Sequence, residues 1–317
     1  MSTSLRIVFM GTPEFAVGIA KAISASKHEL CGIVTVPDKP AGRGQRLHES
    51  AVKQFAVAND LPILQPDKLR DENFIQQLAA WNADVFVVVA FRMLPEVVWK
   101  MPAKGAFNLH ASLLPQYRGA APINWAIING ETETGVTSFF IDEHIDTGAM
   151  LLHQKVAITP TENAGQLHDR LQILGISVVL DTLEGIGNES LFPKKQLQES
   201  ALKMAPKLNR ENTKIDLNAA GETINNLIRG LNPYPGAWLH WNENDELFIV
   251  KIFEAEFVKQ ETHEEVGMVA VSKNAIEISL GDGVLFIHAL QFPGKRKMSA
   301  KEFCNGYAKK GAHLKAE

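Results

Sequence analysis

The chain of 317 residues is 45% hydrophobic, enough apolar side chain for one sizeable core and a smaller second one, so two domains are expected. With 32 basic against 36 acidic residues the net charge is -4, which excludes a global field binding nucleic acid indiscriminately; two distant cysteines, Cys31 and Cys304, exclude a disulfide framework or a cysteine metal site. No apolar run approaches the roughly 20 residues that span a bilayer, and the stretch from Ile7 to Met10 is too short for a signal-peptide core, so a soluble protein of a reducing cytoplasm is expected.

From Leu5 to about Gly187 short β-branched or apolar runs alternate with longer helical patterns, the signature of a mostly parallel sheet covered by helices. The predicted strands are 6–10, 29–36, 61–64, 85–90, 106–110 and 135–141, and the predicted helices 13–26, 49–59, 71–81, 122–129 and 163–185. Thr12-Pro13-Glu14 opens the first helix with a cap residue, a proline at the first helical position and an acid in the first turn. A hairpin-like segment spans 149–158, and 188–209 has no clear period and reads as a linker. Beyond it 219–231 reads as a helix stopped by Asn232-Pro233-Tyr234-Pro235-Gly236. The runs 237–241, 247–255, 267–271, 275–280 and 284–290 then read as strands of a small β-barrel or sandwich, with Gly281-Asp282-Gly283 as the clearest turn. The expected organisation is a first domain over 1–187, a linker over 188–209 and a second domain over 210–317.

Asn108 and His110 lie two apart at the end of the predicted strand 106–110, so both side chains leave one face of it. Strand ends are where open α/β sheets place their ligand crevices. An amide donor beside an imidazole can stabilise a developing oxyanion and move a proton, the two needs of acyl transfer. Asp146, just past the strand 135–141, is placed to hydrogen-bond the imidazole and fix its tautomer. Two plainer readings stand beside this one. The polar residues could be satisfied core groups, or His110, Asp142, His144 and Asp146 could ligate a metal, although their spacing matches no standard ligand motif.

Ser112 follows His110 without the Gly-x-Ser-x-Gly elbow of a nucleophile. Ser112-Leu113-Leu114-Pro115 suits either a proline-stopped strand exit or a backbone rim for a flat heterocycle. Gly11-Thr12-Pro13-Glu14-Phe15 puts proline and glutamate where nucleotide folds carry a glycine-rich phosphate loop, which argues against a dinucleotide cofactor. Two segments are basic. The loop 37–46 holds Lys39, Arg43 and Arg46 with glycines that would let Arg43 reach a phosphate or base. The tail holds Lys295, Arg296, Lys297, Lys301, Lys309, Lys310 and Lys315 against only Glu302 and Glu317, and either solvates itself or tracks a nucleic-acid backbone.

At these residues the chain resembles the formyltransferase family that uses 10-formyltetrahydrofolate. The general likeness rests on Asn108-Leu109-His110, Ser112-Leu113-Leu114-Pro115 and Asp146-Thr147-Gly148. A narrower likeness, to the branch whose acceptor is an aminoacyl-tRNA, extends over nearly the whole chain. It runs through Gly11-Thr12-Pro13-Glu14-Phe15, Pro40-Ala41-Gly42-Arg43-Gly44, Tyr117-Arg118-Gly119-Ala120-Ala121-Pro122, Glu133-Thr134-Gly135-Val136-Thr137, Ala205-Pro206-Lys207 and Asn232-Pro233-Tyr234-Pro235-Gly236-Ala237-Trp238.

The resemblance implies an α/β Rossmann-like formyltransferase domain with a mostly parallel sheet, a linker, and a smaller OB-like β-barrel that helps hold tRNA. It implies formyl transfer from 10-formyltetrahydrofolate to the α-amino group of initiator methionyl-tRNA, with Asn108, His110 and Asp146 catalytic, no metal, and a monomeric protein. Folate contacts would come from Ser112, Leu113, Leu114, Pro115, Arg92, Leu94 and Asp142, and tRNA contacts from Arg43, Lys207, Lys295, Arg296 and Lys297. Arg92 stands where many members of the tRNA branch carry glycine, closer to relatives that formylate purine precursors or sugar nucleotides. Sugar-nucleotide formylation is the alternative reaction, and an OB-fold RNA-binding module the alternative outside enzymes.

Overall fold

The computed structural model describes residues 4–41, 46–197, 201–243, 245–273, 275–307 and 314–317. They form two compact units, one of Met1–Pro122, Thr134–Val156 and His168–Met204, the other of Ile123–Glu133, Ala157–Leu167 and Ala205–Glu317.

The first unit is built on a seven-stranded sheet in the order Met150–Ala157, Glu133–Phe140, Ala106–His110, Val85–Val89, Arg6–Gly11, Glu29–Val34, Ile63–Leu64. Val85–Val89 is buried at every position, as a strand covered on both faces must be, and its β-branched side chains suit that place. It runs parallel to Arg6–Gly11 on one side and to Ala106–His110 on the other. Ala106–His110 is then antiparallel to Glu133–Phe140, with Asn108 opposite Phe139 and His110 opposite Thr137. The candidate pair therefore stands on the strand where the sheet changes from parallel to antiparallel pairing.

Helix starts follow the local chemistry. Ser50 Oγ accepts from Lys53 N at 3.0 Å to open Ala51–Ala58, and Asp71 Oδ1 accepts from Phe74 N at 3.0 Å to open Glu72–Ala80. The first helix, Glu14–Ser24, starts directly after Pro13 and has no side-chain cap, so Thr12 does not cap it; Glu14 lies in its first turn. Several elements escape the sequence pattern because they are too short to show a period. Lys39–Ala41 pairs antiparallel with Arg46–His48 inside the segment read as a loop, and Glu96–Trp99 forms a single helical turn.

The second unit holds the helix Gly221–Gly230 and an antiparallel sheet in the order Val269–Val271, Ile276–Leu280, Gly283–Gln291, Glu246–Lys259, Ala237–Glu243, Leu314–Ala316, with Met298–Ser299 added to Gly283–Gln291. A bridge between Met268 and Lys315, with Ala316 N donating to Gly267 O at 2.7 Å, joins the two ends of that order into a nearly closed barrel. Glu246–Lys259 runs 14 residues, longer than the expected 247–255, because register shifts around Glu254 bend it between partners. Ile276, Ile278 and Leu280 alternate inward and join Leu239, Val250, Ile252, Leu285 and Leu290 in the core. Trp241 is fully buried there, edge-on to Phe292 and Phe303, and its indole Nε1 has no hydrogen-bond partner among the described residues.

The parallel α/β sheet and the small barrel are the fold class expected. The tail differs from a self-solvating charge run, since it includes the helix Ala300–Tyr307 and the strand Leu314–Ala316. Among the described residues no helix is long and apolar enough to cross a membrane.

Candidate active site

The strand Ala106–His110 presents Asn108 half-buried and His110 6% exposed. The described residues give the Asn108 amide no hydrogen-bond partner. The His110 ring is held on both sides. Its Nε2 lies 2.8 Å from the Tyr117 carbonyl, which can only accept, so this nitrogen carries a proton. Its Nδ1 faces Asp146 Oδ2 at 3.6 Å. That is an ion-pair distance, looser than the hydrogen bond expected from sequence, because the same carboxylate oxygen accepts Gly119 N–H at 2.9 Å.

Tyr117 and Asp146, the two residues flanking the imidazole, both have left-handed backbones, with φ of 60° and 55°. Such conformations cost side-chain-bearing residues about 1–3 kcal/mol each and persist only where the surroundings over-determine them. The Asp146 loop is determined in several ways. Asp142 Oδ1 accepts from His144 N at 3.0 Å and from Thr147 Oγ1 at 2.7 Å, closing the turn. At Gly148 an added Cβ would stand 1.7 Å from the Phe140 carbonyl oxygen, so the corner admits glycine alone. Gln196 Nε2 donates to the carbonyls of Asp146 and Gly148, both at 2.9 Å.

The other expected residues are placed as follows. Ser112 is fully buried and donates to Gln116 O at 2.7 Å, while its own carbonyl accepts from Thr137 Oγ1 at 2.7 Å. Leu114 is buried, with its N–H donating to Thr137 Oγ1 at 3.2 Å, and Leu113 and Pro115 are half-buried. The segment Ser112, Leu113, Leu114 and Pro115 is thus braced by Thr137 on the neighbouring strand, opposite His110 in register. Leu94 is part of the core with Val8, Met10 and Val88. Arg92 donates to Asp67 O at 3.0 Å and Pro66 O at 2.7 Å, and lies over the Phe91 ring at 5.2 Å. Burial lowers its pKa from the usual guanidinium value, against the opposing pull of Asp67. Its charge is turned to the Pro66-Asp67 backbone. His144 is exposed and faces Glu143 at 3.9 Å. Among the described residues no group of three His, Cys, Asp or Glu side chains is arranged to hold a metal.

Of the basic residues, Arg43, Lys309 and Lys310 lie outside the described residues. Lys207 is exposed in the second unit, its carbonyl accepting from Asn212 Nδ2 at 3.1 Å. Lys295 is exposed; Arg296 pairs with Glu302 at 2.6 Å, and Lys297 pairs with Glu254 at 2.9 Å and lies over Phe253. Lys315 pairs with Glu265. The folded tail is therefore less cationic than its own sequence, since Glu254, on the strand Glu246–Lys259, and Glu265, in the segment before Val269–Val271, come to it from elsewhere in the chain.

Three contributors were missed from sequence: Tyr117, Thr137 and Gln196. Tyr117 acts through a main-chain carbonyl, which no side chain announces. Thr137 sits on a predicted strand and its register against His110 was the one signal available. Gln196 lies in a stretch without period.

Residues 5–183 match the family model described as formyl transferase, and residues 207–308 that described as formyl transferase, C-terminal domain. The chain is 54% identical over 302 residues to a methionyl-tRNA formyltransferase of Flavobacterium johnsoniae, covering 95% of this chain and 96% of that one. It is 47% identical over 308 residues to a methionyl-tRNA formyltransferase of Bacteroides thetaiotaomicron, covering 96% of each. Among solved structures it is similar to HypX from Aquifex aeolicus in complex with tetrahydrofolic acid, with a TM-score of 0.65 and 18% identity over 97% of this chain and 48% of that one, a likeness of fold.

Proposed function

This chain belongs to the formyl transferase family, and from that membership and the geometry of the strand end we propose that it is an enzyme formylating the α-amino group of initiator methionyl-tRNA for translation initiation. The observation that carries the reading is the Asn108 amide two residues, on one strand, from an imidazole clamped between the Tyr117 carbonyl and the Asp146 carboxylate. The names of the relatives, which cover almost the whole chain, support the acceptor.

The residues present fit a folate donor. Met93 (64% exposed) and Ile145 (62% exposed) are apolar side chains open to a flat ring, on the segments just past two strands of the sheet. Ser112, Leu113, Leu114, Pro115, Arg92, Leu94 and Asp142 shape that rim mainly by holding backbone in place. Bound there, 10-formyltetrahydrofolate would supply a formyl carbon for the free amine to attack directly, its bond to folate N10 breaking and tetrahydrofolate leaving as the amine gives up a proton, so no enzyme nucleophile is needed. Asn108 donates to the oxygen on which negative charge develops. With Nε2 fixed on Tyr117, Nδ1 is the ring nitrogen of His110 left to gain or lose a proton, and Asp146 lies where it balances positive charge on the ring.

In this reading 1–187 is the catalytic body, 188–209 the linker and 210–317 the tRNA-holding body, with Arg43, Lys207, Lys295, Arg296 and Lys297 facing tRNA. The protein acts as a monomer in the cytoplasm, with no metal.

The test is transfer of labelled formyl from formyl-folate to initiator and elongator methionyl-tRNA, with an amino-sugar nucleotide offered in parallel. Transfer to the initiator species is expected, and preference for the sugar nucleotide would overturn the acceptor. Asn108→Ala and His110→Ala are each expected to cost roughly 10²–10³ in turnover, as removal of an oxyanion donor does. Near-normal rates in both would overturn their roles.

A further inference from the structure

One buried amide links the two sides of the His110 clamp. Gln196 is 6% exposed and uses every polar atom it has. Its Nε2 donates to Asp146 O and Gly148 O, both at 2.9 Å, and its Oε1 accepts from Arg118 Nε at 3.1 Å and Nη2 at 2.5 Å. Arg118 lies between Tyr117, whose carbonyl meets His110 Nε2, and Gly119, whose N–H meets Asp146 Oδ2. The contacts close a ring: His110 to Tyr117, along the chain through Arg118 to Gln196, across to the Asp146 backbone, and from the Asp146 carboxylate back to His110. Gln196 is the member of this ring that comes from the segment beyond the helix Ala164–Gly187, remote in sequence from all the others. The same segment returns to the clamp at Tyr117, whose N–H donates to Lys203 O at 2.6 Å.

We propose that Gln196 is a positioning residue for the reaction: acting through the Asp146 backbone and Arg118, it sets where the Asp146 carboxylate stands relative to the imidazole. The proposal rests on the formyl-transfer reading of the site. An amide is the side chain that meets both demands. A carboxylate accepts from Arg118 but cannot donate to two carbonyls; an ammonium donates but cannot accept; a thioether cannot donate and accepts only weakly. Because Asp146 holds a left-handed backbone, loss of the Gln196 bonds removes a restraint from a conformation that relaxes without it.

The experiment compares wild type, Gln196→Met, Gln196→Glu, Asp146→Asn and the Gln196→Met/Asp146→Asn double variant, with exposed Lys195→Ala as control. Gln196→Met is expected to lower kcat about 10- to 100-fold, the scale of a misplacement near 1 Å, while KM for the formyl donor and for methionyl-tRNA stays within about twofold. Gln196→Glu falls between, since it keeps the Arg118 side. In the Asp146→Asn background the Met change adds little, because its effect passes through Asp146.

Independent losses that multiply in the double variant, a raised KM at unchanged kcat, or wild-type kcat in Gln196→Met would each overturn the proposal. ¹⁵N resonances of the His110 ring, recorded on the full chain without substrate, provide the readout that needs no turnover. They are expected to move in Gln196→Met and Gln196→Glu but not in Lys195→Ala, and unmoved resonances would also overturn the proposal. Failure of wild type to formylate any acceptor, with those resonances still moving, would remove the reaction and leave the clamp.

Discussion

Gly148 shows how tightly a single residue is held at this site. The atom that an added Cβ would strike is a main-chain oxygen, that of Phe140, which cannot swing aside as the tip of a side chain can. Gly148→Ala must therefore open the corner between the strand Glu133–Phe140 and the Asp146 loop. We expect about 1–3 kcal/mol of lost stability, the usual range for overpacking, together with lower turnover, read by denaturant unfolding and formyl-transfer rate. Unchanged values for both would show that the corner yields freely. What sequence discloses at this scale is uneven for a physical reason. Asn108 and His110 were legible because side chains two apart on a strand share a face, and Asp146 because it follows a strand directly. The clamp itself runs through the Tyr117 carbonyl, the Gly119 N–H and the amide of Gln196. Backbone groups are the same in every residue, and a contact across 50 positions leaves no local pattern.

At the scale of elements, the last helix shows how charge can hide structure. Ser299 and Glu302 form a capping box at the start of Ala300–Tyr307: Glu302 N donates to Ser299 Oγ at 3.2 Å, and Ser299 N donates to Glu302 Oε2 at 2.8 Å. Ser-x-x-Glu was present in the sequence, but among so many lysines it reads as one acid in a basic run. Hydrogen bonds from Ser299 and from Arg296, helped by the Arg296 charge, lower the Glu302 carboxyl to about 2. A carboxyl depressed on folding contributes stability that is present above its unfolded value, near 4.5, and is lost as pH falls through about 2. Ser299→Ala is expected to cost about 1 kcal/mol, the usual value of a cap. Glu302→Gln is expected to flatten the acid limb of stability of the second unit, followed by circular dichroism in urea from neutral pH downward. An acid limb identical to wild type would mean that the box is not closed in solution.

For the whole molecule, the alternation of strands and helices was sufficient to read a parallel sheet, and the clustered short strands to read a barrel. Strand order was not legible, nor was the assignment of Ile123–Glu133 and Ala157–Leu167 to the second unit, because both are settled by pairing between remote segments. The global charge of -4 sets the terms on which a polyanion binds. Attraction must come from a few local cations, several of them already paired with glutamates, so the number of phosphate contacts is expected to be small and countable. Affinity for methionyl-tRNA should fall linearly with salt on logarithmic axes, by about 0.7–0.9 per phosphate neutralised. Arg43→Ala should lower that slope by about one and weaken tRNA use far more than folate binding; equal loss of both would deny the loop its part.

The barrel also carries its own optical reporter. Trp241, shut among Phe292, Phe303 and aliphatic side chains, its N–H without a partner among the described residues, sits in surroundings that hold indole emission at short wavelength. When water reaches it the emission moves to the red. Trp81 and Trp99 of the first unit, already partly open to water, have less far to move. Unfolding of the second unit can therefore be followed by colour alone, in the unlabelled chain, while far-ultraviolet dichroism follows both units together.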